Sequence, residues 1–143
     1  MDKPSALPKT LLFLRVSVFL VLLMWTLDKF IRPIHAATVF EKFYFAPALQ
    51  ATILYLIGAF ELVIIFAFLL GVKKKLTYGM VFVLHFISTV SSFRQYMAPF
   101  EGGNLMFFAA WPMLAACYAL MHLESMTRCG LFKPIGRKKS LTL

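Results

Sequence analysis

Four stretches of this chain are each about twenty residues long and almost free of charge, roughly 10–31, 48–71, 76–97 and 104–123. A helix needs about 20 apolar residues to cross the hydrocarbon core of a bilayer. There every backbone N–H must find its acceptor within the protein, which leaves helices and closed barrels as spanning structures. Of the 143 residues 61% are hydrophobic and only six are acidic, against an apolar share of about 45–50% in soluble domains. The expected fold is therefore all-α and integral to the membrane, a four-transmembrane-helix bundle. The organisation follows: residues 1–10 as a cytoplasmic N-terminus, 11–123 as the transmembrane domain with an outer loop at about 32–47, and 124–143 as a basic cytoplasmic tail.

The formal net charge of +9 raises the question of nucleic acid, but the basic residues cluster at the ends of the apolar runs, which is how membrane topology is encoded. No nucleic-acid partner is expected. Lys3 and Lys9 precede the first run; Lys73, Lys74 and Lys75 separate the second from the third; Arg128, Lys133, Arg137, Lys138 and Lys139 follow the fourth. Four crossings put these three segments on one side, the cytoplasmic one, with both termini inside. Lys29, Arg32 and Lys42 on the other side are offset by Asp28 and Glu41. A cleaved signal peptide is the competing reading of the first run; its length and the arginine inside it, Arg15, speak against cleavage. The outer loop carries Phe40, Phe43, Tyr44 and Phe45 between Pro33 and Pro47, a composition suited to the membrane interface. Cys117 and Cys129 form no CxxC pair and no metal-ligand spacing.

Ionisable residues inside a span usually face the bundle interior and pair. Glu61 is ten residues from Gly71 and His85 ten from Lys75, so each lies roughly 15 Å deep. Glu61 and His85 are expected to face each other across a tight hairpin. Thr89, Ser92 and Tyr96 follow His85 at +4, +7 and +11, with Ser88 at +3, and Gln50 precedes Glu61 by eleven, so polar seams run from the bilayer centre outward. The expected ligand-binding set is Glu61, His85, Thr89, Ser92 and Tyr96, with hydroxyl groups bonded to helix carbonyls as the plainer reading. Near the outer surface Asp28, Lys29 and Arg94 form a second polar cluster, with Asp28 expected to pair with Arg94 or Lys29. Trp25, His35, Tyr44 and Glu101 share that layer. Arg15 is expected to snorkel to lipid phosphate or to reach Glu61, and His122 to sit at the inner interface. His35, His85 and His122 lie at three different depths, so no metal or haem is expected.

The chain resembles the DoxX-like superfamily of small four-helix bacterial membrane proteins. The resemblance rests on "LLFLRVSVFL" with Arg15, "WTLDKFIRP" with Lys29 and Pro33, and "ELVIIFAFLLG" with Glu61 and Gly71. It implies a place in the bacterial inner membrane beside a membrane redox assembly, and Arg15, Lys29 and Glu61 as shared positions. The chain would then be at most the membrane subunit of an oxidoreductase. It would bind a quinone or lipid-like ligand among lipids and a partner membrane protein or a second copy of itself. A structural or assembly subunit is the alternative, and a small transporter or proton-conducting protein a third.

Overall fold

The computed structural model describes residues 6–47 and 49–127. Lys3, Cys129 and the basic residues of the tail lie outside the described residues. The described regular structure is entirely helical: α1 (Ala6–Ile31), α2 (Pro33–Tyr44), α3 (Ala51–Leu70), α4 (Lys74–Ser91), α5 (Phe93–Met97) and α6 (Ala110–His122). Short 3-10 segments lie at Asn104–Ala109 and Glu124–Met126. Three helical stretches are long and apolar enough to cross a membrane: Ala6–Ile31, Ala51–Leu70 and Asn104–His122. The chain is thus a candidate multi-pass membrane protein. α4 begins with Lys74 and Lys75 and carries His85 and five hydroxyl residues in eighteen, so it falls short of the same measure.

The outer connection is a helix rather than a loop. Arg32 leaves the helical region at φ −132°, and Pro33 at the first position of α2 restarts it, where proline's missing N–H costs nothing. α2 stops at Phe45, which takes a left-handed conformation with φ 54° and bonds its N–H to Phe40. The inner hairpin is as tight as expected. Gly71 ends α3 in the left-handed region, φ 73°, and the Gly71 and Val72 amides bond back to Phe68 and Ala67, the pattern glycine permits at a helix end. Lys73 then takes φ 42° and α4 starts.

α3 packs most extensively on α1, and α4 on α6. The core between them holds Leu11, Val18, Phe19, Ile64, Ile65, Phe68, Val81 and Leu120. Many large apolar side chains remain on the surface, among them Phe13 at 75%, Leu56 at 68% and Val63 at 70% exposed. In water a coat of this size would drive association; in a bilayer it is the surface that lipid requires. Pro112 sits in the first turn of α6, where the 3-10 segment Asn104–Ala109 hands over to α-helix.

Candidate functional site

Thr26 and Lys29 are three residues apart on α1 and so share a face. They meet Glu61 at the middle of α3. The Lys29 ammonium donates to Glu61 Oε2 at 2.8 Å, and the Thr26 hydroxyl donates to the same oxygen at 3.0 Å. A second Lys29 proton goes to the Trp25 carbonyl at 3.4 Å, and the ammonium lies 5.9 Å from the centre of the Phe40 ring on α2. The Lys29 side chain is 10% exposed and that of Glu61 19%. Oε1 of Glu61 accepts no hydrogen bond among the described residues. Just above, Gly58 lets α1 and α3 approach closely. A Cβ there would lie 2.6 Å from Phe30 Cε2, and Phe30 is stacked on Tyr55 with ring centres 5.8 Å apart.

The expected pairing of Glu61 with His85 is replaced by this arrangement. The two residues do share a level along the hairpin. Phe68 packs on Tyr78 with ring centres 4.9 Å apart; Glu61 and His85 are each seven residues, about two turns, from that contact and fall at one level. The partners differ because α1 offers Glu61 a cation and a hydroxyl, whereas α4 lies against α6. There His85 donates from Nε2 to the Ala110 carbonyl at 3.1 Å. The rest of the polar seam also bonds to backbone. Thr89 donates to the His85 carbonyl at 2.8 Å, Ser92 to that of Ser88 at 3.1 Å and Tyr96 to that of Phe107 at 3.4 Å. Gln50 caps the start of α3 through its backbone carbonyl, which accepts from Ile53 and Leu54.

The outer cluster is corrected in the same way. Asp28, 8% exposed, accepts from Arg32 Nε at 2.7 Å and from His35 Nδ1 at 2.6 Å. Both donors come from the start of α2, one and two turns along. Asp28 therefore pairs with neither Arg94 nor Lys29. The Arg94 guanidinium stands over Phe45 at 5.1 Å and Phe93 at 5.9 Å. Glu101 and Trp25 are exposed.

No family model, curated protein or solved structure matches this chain. Its function must therefore be argued from its own geometry.

Arg15 neither snorkels nor reaches Glu61. It is fully buried and donates from Nη1 to the Tyr78 hydroxyl at 2.9 Å. The Tyr78 hydroxyl in turn donates to Thr127 Oγ1 at 3.3 Å, and Thr127 donates to the Glu124 carbonyl at 2.7 Å. Lys74 donates to the Glu124 and Thr127 carbonyls at 3.2 and 2.8 Å. This second network ties the first half of α1 and the start of α4 to the segment that follows α6. His122 stays outside it, exposed, 4.2 Å from the Tyr118 ring centre. Among the described residues no group of three His, Cys, Asp or Glu is placed to hold a metal ion.

Sequence reasoning missed Thr26, Tyr78, Lys74 and Glu124 as site members. The i, i+3 spacing of Thr26 and Lys29 was the one available signal. Nothing local marks Tyr78, whose role depends on a helix 63 residues away.

Proposed function

We propose that the protein is a four-span subunit of DoxX-like type in a bacterial inner membrane, with α4 as the additional span and both termini cytoplasmic. It supports a membrane redox complex and binds a quinone, in its quinol form, or a lipid-like head group at the Thr26–Lys29–Glu61 centre. The open Glu61 Oε1 carries this reading. Both internal donors go to Oε2, so one oxygen of a partly exposed carboxylate in the middle of an apolar helix is left with no donor. Such an acceptor in hydrocarbon costs several kcal/mol, roughly the value of the hydrogen bond it lacks. A head group bearing a hydroxyl, as a quinol or a lipid does, supplies the missing donor. Its apolar tail then lies along α1 and α3, whose outer surfaces are rich in Leu, Val and Phe.

Glu61→Gln tests this directly. The amide keeps a carbonyl oxygen for Lys29 and turns the open acceptor into a donor. Purified in mild detergent from its native membrane, the wild type should carry a quinone or lipid detectable by mass spectrometry. The variant should fold and lose at least about tenfold of that ligand, equivalent to about 1.4 kcal/mol. Equal retention by the variant would overturn the assignment.

The assembly reading has its own support. His85 and Tyr96 bond to the carbonyls of Ala110 and Phe107 in the neighbouring helical stretch, which is how polar groups hold helices together in lipid, while Thr89 and Ser92 bond within their own helix. It expects a stoichiometric protein partner and no bound ligand in the same preparation. The topology is tested separately with single cysteines in a chain freed of its natural thiols. A cysteine at Lys75 should react with an impermeant maleimide only from the cytoplasmic side, and one at Glu101 only from the opposite side. Labelling of both from one side would remove α4 as a span.

A further inference from the structure

At the inner end of the bundle, Gly71, Lys73, Lys74, Lys75, Glu124 and Ser125 line a recess of about 310 Å³. Its charges are unevenly satisfied. Lys74 is committed to the Glu124 and Thr127 carbonyls. Lys73 and Lys75 are exposed and make no hydrogen bond or ion pair among the described residues. Glu124 Oε2 is buried, yet accepts no hydrogen bond there. A buried acceptor without a donor costs about 1–3 kcal/mol, and here the Lys74 ammonium bonds to the Glu124 backbone carbonyl and not to its carboxylate. The recess thus carries two exposed cations beside the Glu124 carboxylate, whose Oε2 is withdrawn from the surface and lacks a donor. It lies at the ends of α3 and α6, two of the helices apolar enough to cross the membrane, the level of phospholipid head groups.

We infer that this recess is a phospholipid head-group site, separate from the centre around Glu61. The ligand that fits is a phosphate diester whose head group also carries a hydrogen-bond donor. The phosphate sits between Lys73 and Lys75. The donor, a glycerol hydroxyl or an ammonium, bonds to the Glu124 carboxylate, whose Oε2 turns outward to meet it, and the Ser125 hydroxyl lies at the rim. The three lysines against one glutamate favour an anionic lipid, so phosphatidylglycerol is the fitting probe. A charge-only attraction of the kind any basic turn has for anionic membranes makes no use of Glu124, and this separates the two.

The experiment is native mass spectrometry of the delipidated full-length chain, with one lipid added at a time. Phosphatidylglycerol should be retained about tenfold better than phosphatidylmethanol, which has the same phosphate and charge but no donor. Phosphatidylcholine, with no donor and no net charge, should bind more weakly than either. Glu124→Ala should erase the preference for phosphatidylglycerol over phosphatidylmethanol. Lys73→Ala with Lys75→Ala should weaken both by about tenfold; because these lysines make no internal bond, their loss reads binding apart from folding. Thermal unfolding of each variant without lipid controls for damage to the Lys74 network. Equal retention of phosphatidylglycerol and phosphatidylmethanol by the wild type would overturn the proposal. So would displacement of the lipid by millimolar inorganic phosphate, which would make this a soluble-anion site.

Discussion

Lys29→Met should destabilise the bundle by about 3 kcal/mol, the cost typical of removing one partner from a buried ion pair. Methionine keeps the length and the apolar stem of lysine but takes away the ammonium that neutralises Glu61 at 2.8 Å. The carboxyl is then left with the Thr26 hydroxyl alone. In surroundings this apolar it must take up a proton or draw in water. Most of the effect comes from the stranded partner, not from the lost attraction, because desolvating two charges nearly cancels their mutual gain. The double variant Lys29→Met with Glu61→Leu should therefore recover most of the loss. Unfolding of both proteins in the same detergent, followed by circular dichroism, checks the pair. A single variant as stable as wild type would mean that the pair is worth nothing to the fold. A double variant no better than the single would mean that packing of the lysine stem, and not charge, holds α1 to α3.

Gly58→Ala should cost about 1–3 kcal/mol, the usual range for forcing extra volume into a filled interface. The added methyl would stand 2.6 and 2.8 Å from Phe30 Cε2 and Cζ. Phe30 has limited room to swing away, because its ring lies parallel to that of Tyr55, at an angle of 2°. Either that stack breaks or α1 moves off α3, and the second outcome stretches the Lys29–Glu61 bond less than one turn away. Phe30→Ala placed beside Gly58→Ala relieves the clash, so the two changes should be strongly non-additive in a double-mutant cycle. Additive losses would show that the ring is not what alanine meets.

Much of the architecture could be read from the chain because lipid makes a simple demand: about twenty apolar residues for each crossing. The helix at 51–70, its glycine stop and the tight basic turn all follow from local composition and from the one residue type that readily adopts φ 73°. The level of Glu61 and His85 was legible too, since helical rise converts residue count to depth. The partner of each was not. Counting residues says how deep a side chain lies, whereas its neighbours depend on how the helices are arranged around one another. Asp28 illustrates the same gap. Its partners, Arg32 and His35, are close in sequence, but they become partners because Pro33 starts a helix in what reads as an aromatic loop. α4 shows the opposite case: residues 76–97 read as an apolar run, yet the helix that forms starts with two lysines and carries hydroxyl groups, and it falls short of the apolar measure that the other three stretches meet.

The sequence by itself determined that this chain is helical and apolar enough to be a candidate membrane protein, that it turns sharply at 71–73, and that Glu61 needs a partner. Tertiary structure alone decided that the partner is Lys29 with Thr26, that Arg15 is buried under Tyr78 and Thr127, and that Glu124 keeps an open oxygen beside the lysine turn. The reason is physical. Hydrophobicity and backbone hydrogen bonding act residue by residue along the chain, but ion pairs between helices depend on packing between segments 32 to 63 residues apart.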